Sequence, residues 1–314
     1  MAPTALEGGI DPGLGSELIH LRSYAGVVVT YQRPEWLLRS IDAALGQTIP
    51  PAVLVVVDND ADPDVRSRVE RVNAPNTRLH YASTTSNLGP AGGLQRGLEA
   101  LAQVDPEGRI EHVLFLDDDN PLPAPDTVAR LLQLRAEVGK GIRVGAVGIV
   151  GARWDDRRAC LRRLSDSELS GAVPIDYIGG GSAPLYDRAA LDEVGGVDVS
   201  LFFGYEELDL GLRLRGAGFA LYAHGDMWRQ QRARLGRLGR GQSTRTEPEL
   251  PWRSYYSARN LVLIVRAQRS FRQALQVTVR QILGGLRRDT HFRSRVQGLF
   301  DAWLGRRGVG MLPR

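Results

Sequence analysis

Three apolar runs in the first 120 residues of this chain end in the same way. "YAGVVVTY" (24–31) gives way to "QRP", "PPAVLVVVDND" (50–60) ends on Asp and Asn, and "HVLFLDDDN" (112–120) ends on three aspartates. Consecutive apolar residues rich in Val and Leu are the pattern of a strand buried on both faces, as in a parallel sheet. Between the first two runs lies "PEWLLRSIDAALGQ" (34–47), with Trp36, Leu37, Ile41, Ala44 and Leu45 at helical spacing. Its leading Pro is tolerated because the first-turn N–H it lacks would be unpaired anyway. "TRLHYAS" (77–83) reads as a further strand, and "NLGPAGGLQRGLEALAQV" (87–104) as a Gly-rich loop entering a helix. Strand, helix, strand, strand, helix, strand is α/β order. Ligands of open parallel sheets bind beyond the carboxyl ends of the strands. Thr30 and Arg33, Asp58 and Asn59, and Asp117 to Asp119 are therefore expected along one rim.

The second half is less regular. Residues 127–139 predict a helix and 143–153 a strand. Residues 174–198 predict a Gly-rich turn, a strand and a short helix. "FFGYEELDLGLRLRGAGF" (202–219) is an acidic cluster opening a helix, and 219–228 a late strand. Residues 229–251 read as a mobile basic loop and 252–288 as two helices. The chain divides into a flexible leader (1–22), a catalytic α/β domain (23–228), and a basic loop with a helical extension (229–314).

Bulk properties narrow the class. The 314 residues are 43% hydrophobic and 24% charged, which fits a soluble globular protein. Cys160 is the single cysteine, so no intrachain disulfide or cysteine metal cluster forms. No run approaches the roughly 20 apolar residues of a membrane span. The opening "MAPTALEGGIDPGLGSEL" lacks the basic start and apolar core of a signal peptide. A cytoplasmic protein, peripheral at the inner face of the cell membrane, is expected. The net charge of +4 hides an asymmetry: residues 229–314 hold 19 Arg against 4 Asp and Glu, and the remainder is acidic. A basic tail suits phosphate-rich partners such as an anionic membrane surface or a pyrophosphate-linked substrate. No aromatic-interleaved RNA motif or helix-turn-helix pattern supports nucleic acid as the partner.

Adjacent carboxylates need a compensating cation or a proton. Mg²⁺ or Mn²⁺ favours oxygen ligands, often one or two carboxylates plus substrate phosphates. On an extended segment Asp117 and Asp119 share a face and Asp118 takes the other. A solvated acidic turn before "PLPAP" is the plainer reading. Glu206, Glu207 and Asp209 also admit two readings: charges that suit a helix N-terminus, with Asp209 and Arg213 an ordinary i,i+4 pair, or a general base aimed at the same rim. Asn87 and the glycines after it either cap a helix or bring backbone close to a ligand. No GxGxxG follows the first strand, which disfavours a nicotinamide enzyme. Of the five histidines only His224 is a candidate metal ligand, with a bland histidine the simpler account. Trp252, Tyr255 and Tyr256 stack on a sugar or pack the tail. "GGGS" (179–182) is a tight turn or a place where backbone meets an acceptor.

In order, "VVVTYQRPEWLLRSIDAALGQT", "VLVVVDN", "NLGPAGGLQRGL", "VLFLDDDN", "FFGYEELDLGLRLRGAGF" and "YYSARN" resemble glycosyltransferase family 2, and within it the bacterial galactofuranosyltransferases and rhamnosyltransferases. The resemblance covers roughly residues 24 to 265. It implies a GT-A fold, Rossmann-like, with a mixed, mostly parallel sheet flanked by helices. It also implies inverting, metal-dependent transfer from a UDP- or dTDP-linked sugar to a glycan or a polyprenyl-diphosphate-linked acceptor. By the resemblance, Thr30, Arg33, Asp58, Asn87, Gly89 and Asp118 meet the donor, Asp117 and Asp119 ligate the metal, and Glu206 and Glu207 form the acidic pair. Glu207 would be the base, at a position where the family commonly has Asp. The family often has a histidine metal ligand where this chain has Arg229, so His224 becomes the substitute candidate. A sugar-phosphate nucleotidyltransferase and a nucleotide-sugar-binding protein without transfer activity are the alternatives. The first lacks its Gly-rich basic loop here, and intact acidic residues argue against the second.

Overall fold

The computed structural model describes residues 24–239, 250–288 and 291–312. The expected leader lies outside them, as does the middle of the expected basic loop.

The first four strands are those read from the sequence: β1 (Tyr24–Thr30), β2 (Val53–Asp58), β3 (Arg78–Ser83) and β4 (His112–Asp117). β1, β2 and β4 are nearly all inaccessible to solvent, because helices cover both faces, while the edge strand β3 buries only Ala82. Helices α1 (Pro34–Leu45), α2 (Pro63–Glu70), α3 (Gly89–Val104) and α4 (Thr127–Val138) fall between and after them. Short strands follow: β5 (Val144–Gly148), β6 (Gly151–Asp155), β7 (Cys160–Arg162), β8 (Ala172–Ile175), β9 (Tyr177–Ile178), β10 (Leu185–Asp187) and β11 (Ala220–His224). The main sheet has eight strands in the order β3-β2-β1-β4-β10-β5-β11-β8, and β7-β6-β9 form a small second sheet. β3, β2, β1 and β4 are mutually parallel, while β10 and β8 run against their neighbours.

The order reverses between β1 and β4, and the register sets the rim. Thr30 lies opposite Asp58 on one side, and Val29 opposite Asp117 on the other. Such a switch point opens a crevice at the carboxyl ends. The glycines of α3 bring the helix onto β1. A Cβ at Gly93 would lie 2.4 Å from Val29 Cγ1, and one at Gly97 2.3 Å from Val27 Cγ1.

Helices α5 (Arg188–Val194), α6 (Glu206–Gly216) and α7 (Gly225–Arg234) accompany the second half of the sheet. Helices α8 (Pro251–Gln268), α9 (Phe271–Arg288) and α10 (Phe292–Trp303) build the C-terminal layer. Ten residues of α8 are buried, among them Tyr255, Tyr256 and Arg259. Leu208 and Leu212 of α6 join Val262, Leu263 and Leu299 in one apolar cluster. Among the described residues no helix is long and apolar enough to cross a membrane.

Four expectations need correction. Residues 63–70 form a helix that short apolar content had concealed. Asp62 caps it by accepting from Asp64 N at 2.8 Å, and Pro63 starts it. The strand over 143–153 is two strands, β5 and β6, which join different sheets. The basic loop from 229 begins as helix, since α7 continues to Arg234, with Arg232 bonded to Asp166 and Leu164 O. A third C-terminal helix, α10, was not anticipated.

Candidate active site

The rim gathers Thr30, Arg33 and the aspartate triplet. β4 ends at Asp117, and Ser40 Oγ of α1 donates to Asp117 O at 2.7 Å, fixing the chain where the triplet begins. Thr30 Oγ1 donates to Asp118 Oδ2 at 2.9 Å. Arg33 Nη1 lies 2.5 Å from Asp119 Oδ2 and 3.5 Å from Asp118 Oδ1. Burial, followed by the charges of Asp119 and Asp118, pushes Asp117 up to about 6, against a smaller opposing effect of the Gly181 N–H. Burial also raises Asp118, opposed by the Thr30 hydroxyl and Arg33.

The acidic pair stands across a glycine turn. A Cβ on Gly180 would lie 2.5 Å from Glu207 Oε1, and one on Gly181 2.6 Å from Asp117 Oδ2. Only glycine leaves room for both carboxylates to approach this backbone. Asn120 Nδ2 donates to Gly181 O at 2.6 Å and holds the turn. Glu206 is buried, and its Oε2 has no hydrogen-bond partner among the described residues. Burial, with Asp117 contributing, pushes its carboxyl up to about 7. Glu207 is held well above the usual carboxylate range, first by burial and then by the charge of Glu206. Two acids that resist ionisation thus face a rim of carboxylates.

A strained loop aims this pair. Phe202, Gly204 and Tyr205 have φ of 62°, 79° and 69°. Phe202 and Tyr205 sit where non-glycine residues are strained by roughly 1–3 kcal/mol each. The C-terminal layer holds the loop in place. Asn260 Nδ2 lies 3.0, 2.8 and 2.9 Å from the carbonyls of Leu201, Phe203 and Gly204. The fully buried Arg259 donates to Leu201 O at 2.8 Å and Gly308 O at 2.6 Å, and its guanidinium lies 4.7 Å from the Tyr256 ring centroid. Asn120 and Ser40 stand in segments read from the sequence, but neither is among the expected site residues. The "YYSARN" segment was the available signal for Arg259 and Asn260.

Other expected residues occupy different settings. Asp58 is fully buried and accepts from Asp60 N, Asp62 N and the Tyr81 hydroxyl, so it organises the loop after β2. Its neighbour Asn59 donates to Gly89 O at 3.1 Å, linking β2 to the start of α3. Asn87 Oδ1 accepts from Gly89 N at 2.8 Å. Gly89 has φ +69°, and a Cβ there would strike Phe202 O. Arg213 Nε donates to Asp209 Oδ2 at 2.7 Å, the i,i+4 pair. Tyr255 and Tyr256 are buried, and Trp252 packs edge-on against Phe203 at 4.5 Å, so these aromatics pack the layer. His224, at the end of β11, is not brought to the triplet. Its charged neighbours are Arg130, Asp226 and Glu137, and burial is the main cause of its lowered pKa.

Among the described residues no group of three or more His, Cys, Asp and Glu side chains is arranged to hold a metal ion. Asp117 and Asp119 nevertheless fit one of the hard cations chemically. They supply oxygen donors, and burial leaves Asp117 in need of a counter-charge. A small divalent cation ordinarily takes one or two carboxylates and completes its shell with phosphates and water.

The candidate site is thus a parallel-sheet crevice with a carboxylate rim and an acidic pair beside it. The sequence profile of the glycosyltransferase-like family 2 matches residues 22–281, and the chain belongs to that family. It is an enzyme of the hexosyltransferase class with a GT-A fold. Among curated proteins it is similar to galactofuranosyltransferase GlfT1 of Mycolicibacterium smegmatis, 34% identical over 218 residues, which are 64% of this chain and 68% of that one. It is 31% identical over 209 residues to GlfT1 of Mycobacterium tuberculosis, covering 62% and 66% of the two chains. The chain thus spans about two thirds of the length of these relatives. Among solved structures it is similar to the mannosyltransferase PcManGT of Pyrobaculum calidifontis in complex with GDP-Man and Mn²⁺, with a TM-score of 0.52 at 18% identity over 90% of this chain and 87% of that one. The S. aureus TarS fragment in complex with UDP-GlcNAc gives a TM-score of 0.56 at 14% identity over 90% and 81%. At these identities the likeness is one of fold.

Proposed function

We propose that this enzyme transfers galactofuranose, or rhamnose as the second candidate, with inversion, from a UDP- or dTDP-linked donor to a hydroxyl of a glycan or lipid-linked acceptor. The observation that carries the reading is the pairing of Glu207 and Asp117 across Gly180 and Gly181, in a chain similar to two galactofuranosyltransferases. Thr30, Arg33, Asn87 and Gly89 line the approach to the donor, and Arg33 offers a guanidinium to its diphosphate. Asp118 stays with Thr30 and faces the donor. A Mg²⁺ or Mn²⁺ ion held by Asp117 and Asp119 would neutralise charge on the leaving diphosphate. Glu207 takes the proton from the acceptor hydroxyl as that oxygen attacks the anomeric carbon from the face opposite the diphosphate. One base and one displacement invert the centre.

Transfer from UDP-galactofuranose and dTDP-rhamnose to an alkyl glycoside, with NMR of the new anomeric centre, tests this. The reading expects one donor to react and the product anomer to be opposite to the donor's. Retention of configuration, or no transfer from any nucleotide sugar, overturns it. Asp119→Ala is expected to weaken donor binding in Mn²⁺ by at least about tenfold and to erase the difference between Mn²⁺ and chelator. Titration calorimetry reads both.

A further inference from the structure

Helix α9 leaves one side uncovered. Ala274, Val277 and Gly285 face the protein, whereas Phe271, Leu275, Val279, Leu283 and Leu286 are 68%, 49%, 47%, 55% and 63% exposed. Steps of four, four, four and three residues align these five side chains along one stripe. The adjoining α10 has its own exposed Val296 and Phe300, with Leu304 one further step beyond its end. Phe271 packs edge-on against Trp303 at 5.3 Å, and the Gly285 position lies against Phe292, so the two helices form an antiparallel hairpin. Soluble proteins seldom leave a contiguous apolar surface of this kind in water without a partner.

Charge selects the partner. α9 has no acidic residue and exposes Arg272, α10 exposes Arg293, and both lie within a tail of 19 Arg against 4 Asp and Glu. A second copy docked on this face would set arginine against arginine. An anionic bilayer matches both features, because the apolar stripe enters the acyl boundary while the guanidinium groups meet lipid phosphates. The protein side of α9 approaches the loop before the acidic pair. A cleft of about 200 Å³ under α9 is lined by Val277, Arg280, Leu261, Leu161 and Tyr205, and Tyr205 directly precedes the acidic pair.

We propose that the α9–α10 hairpin is a docking face that seats the enzyme on an anionic lipid bilayer. Its purpose, bringing Glu207 to acceptors held at that surface, rests on the transfer reading, but the docking itself does not. The test is co-sedimentation of the full chain with phosphatidylcholine vesicles, with and without phosphatidylglycerol, for wild type and for Leu275→Glu/Leu283→Glu. Both positions are exposed, so melting temperature should hold. The expected result is binding to the phosphatidylglycerol vesicles that weakens with salt and falls at least about tenfold in the double variant. The proposal is overturned if wild type stays in the supernatant, or if the variant sediments as wild type does. It is equally overturned if light scattering shows a vesicle-free dimer that the variant dissolves, which would assign the face to a second copy. Donor binding measured on the same samples separates the two ideas, since either can fail while the other holds.

Discussion

Glu207→Gln is expected to lower kcat by about 10²–10⁴-fold with donor affinity unchanged. The amide keeps the shape of the side chain and its place against Gly180 but cannot accept a proton from the acceptor. Titration of donor binding beside single-turnover transfer separates the two effects, and a variant with full activity would remove Glu207 from the role of base. The pH dependence follows from the same geometry. Burial, and then the charge of Glu206, holds the Glu207 carboxyl well above its usual range, while burial pushes Glu206 up to about 7. A base works only when ionised, so the rate should rise with pH through the region where this pair loses its protons. The rising limb should vanish in Glu207→Gln. Stability moves the other way. A carboxyl raised in the folded state stabilises fully below its ordinary value of 4.5 and loses that contribution as pH rises through about 7. Melting temperature should therefore fall across that window, and fall less in Glu206→Gln.

Asn260→Leu should destabilise the protein by about 2–4 kcal/mol and lower kcat far more than it changes donor affinity. Leucine keeps the volume but removes the donor that reaches the carbonyls of Leu201, Phe203 and Gly204. Leu201 O retains Arg259, whereas Phe203 O and Gly204 O lose this bond inside a loop whose φ values are already strained. That loop leads directly into Glu206 and Glu207, so its relaxation moves the acidic pair away from the rim. Thermal unfolding reads the first effect and a kcat against KM split the second. Loss of stability alone, with kcat unchanged in the folded fraction, would make Asn260 a packing residue only.

The parallel half of the sheet was legible in the sequence because burial on both faces writes unbroken Val and Leu runs, and the switch point then places their polar ends together. The triplet at 117–119 stood out for the same reason. Short strands were hard to read: β7 and β9 have three residues or fewer and no room for a period. α2 escaped because only Val65 and Val69 of its eight residues are buried. The site was half visible. Carboxylates announce themselves, but what aims them does not, since Asn260 and Asn120 act through backbone carbonyls far along the chain. Asp58 was legible as a strand-end acid, but its bonds to two amides and to Tyr81 were not, because they come from the loop and the strand that follow it.

The most direct measurement is the melting temperature of the purified chain with UDP-galactofuranose, dTDP-rhamnose and GDP-mannose, each with Mn²⁺ and with chelator. A ligand that binds only the folded state stabilises it by mass action, about 2.7 kcal/mol at one hundred times its dissociation constant. A rise with UDP-galactofuranose or dTDP-rhamnose that needs Mn²⁺ and disappears in Asp119→Ala is the predicted result. No rise with any nucleotide sugar, with or without the metal, would contradict it and leave the aspartate triplet an acidic turn.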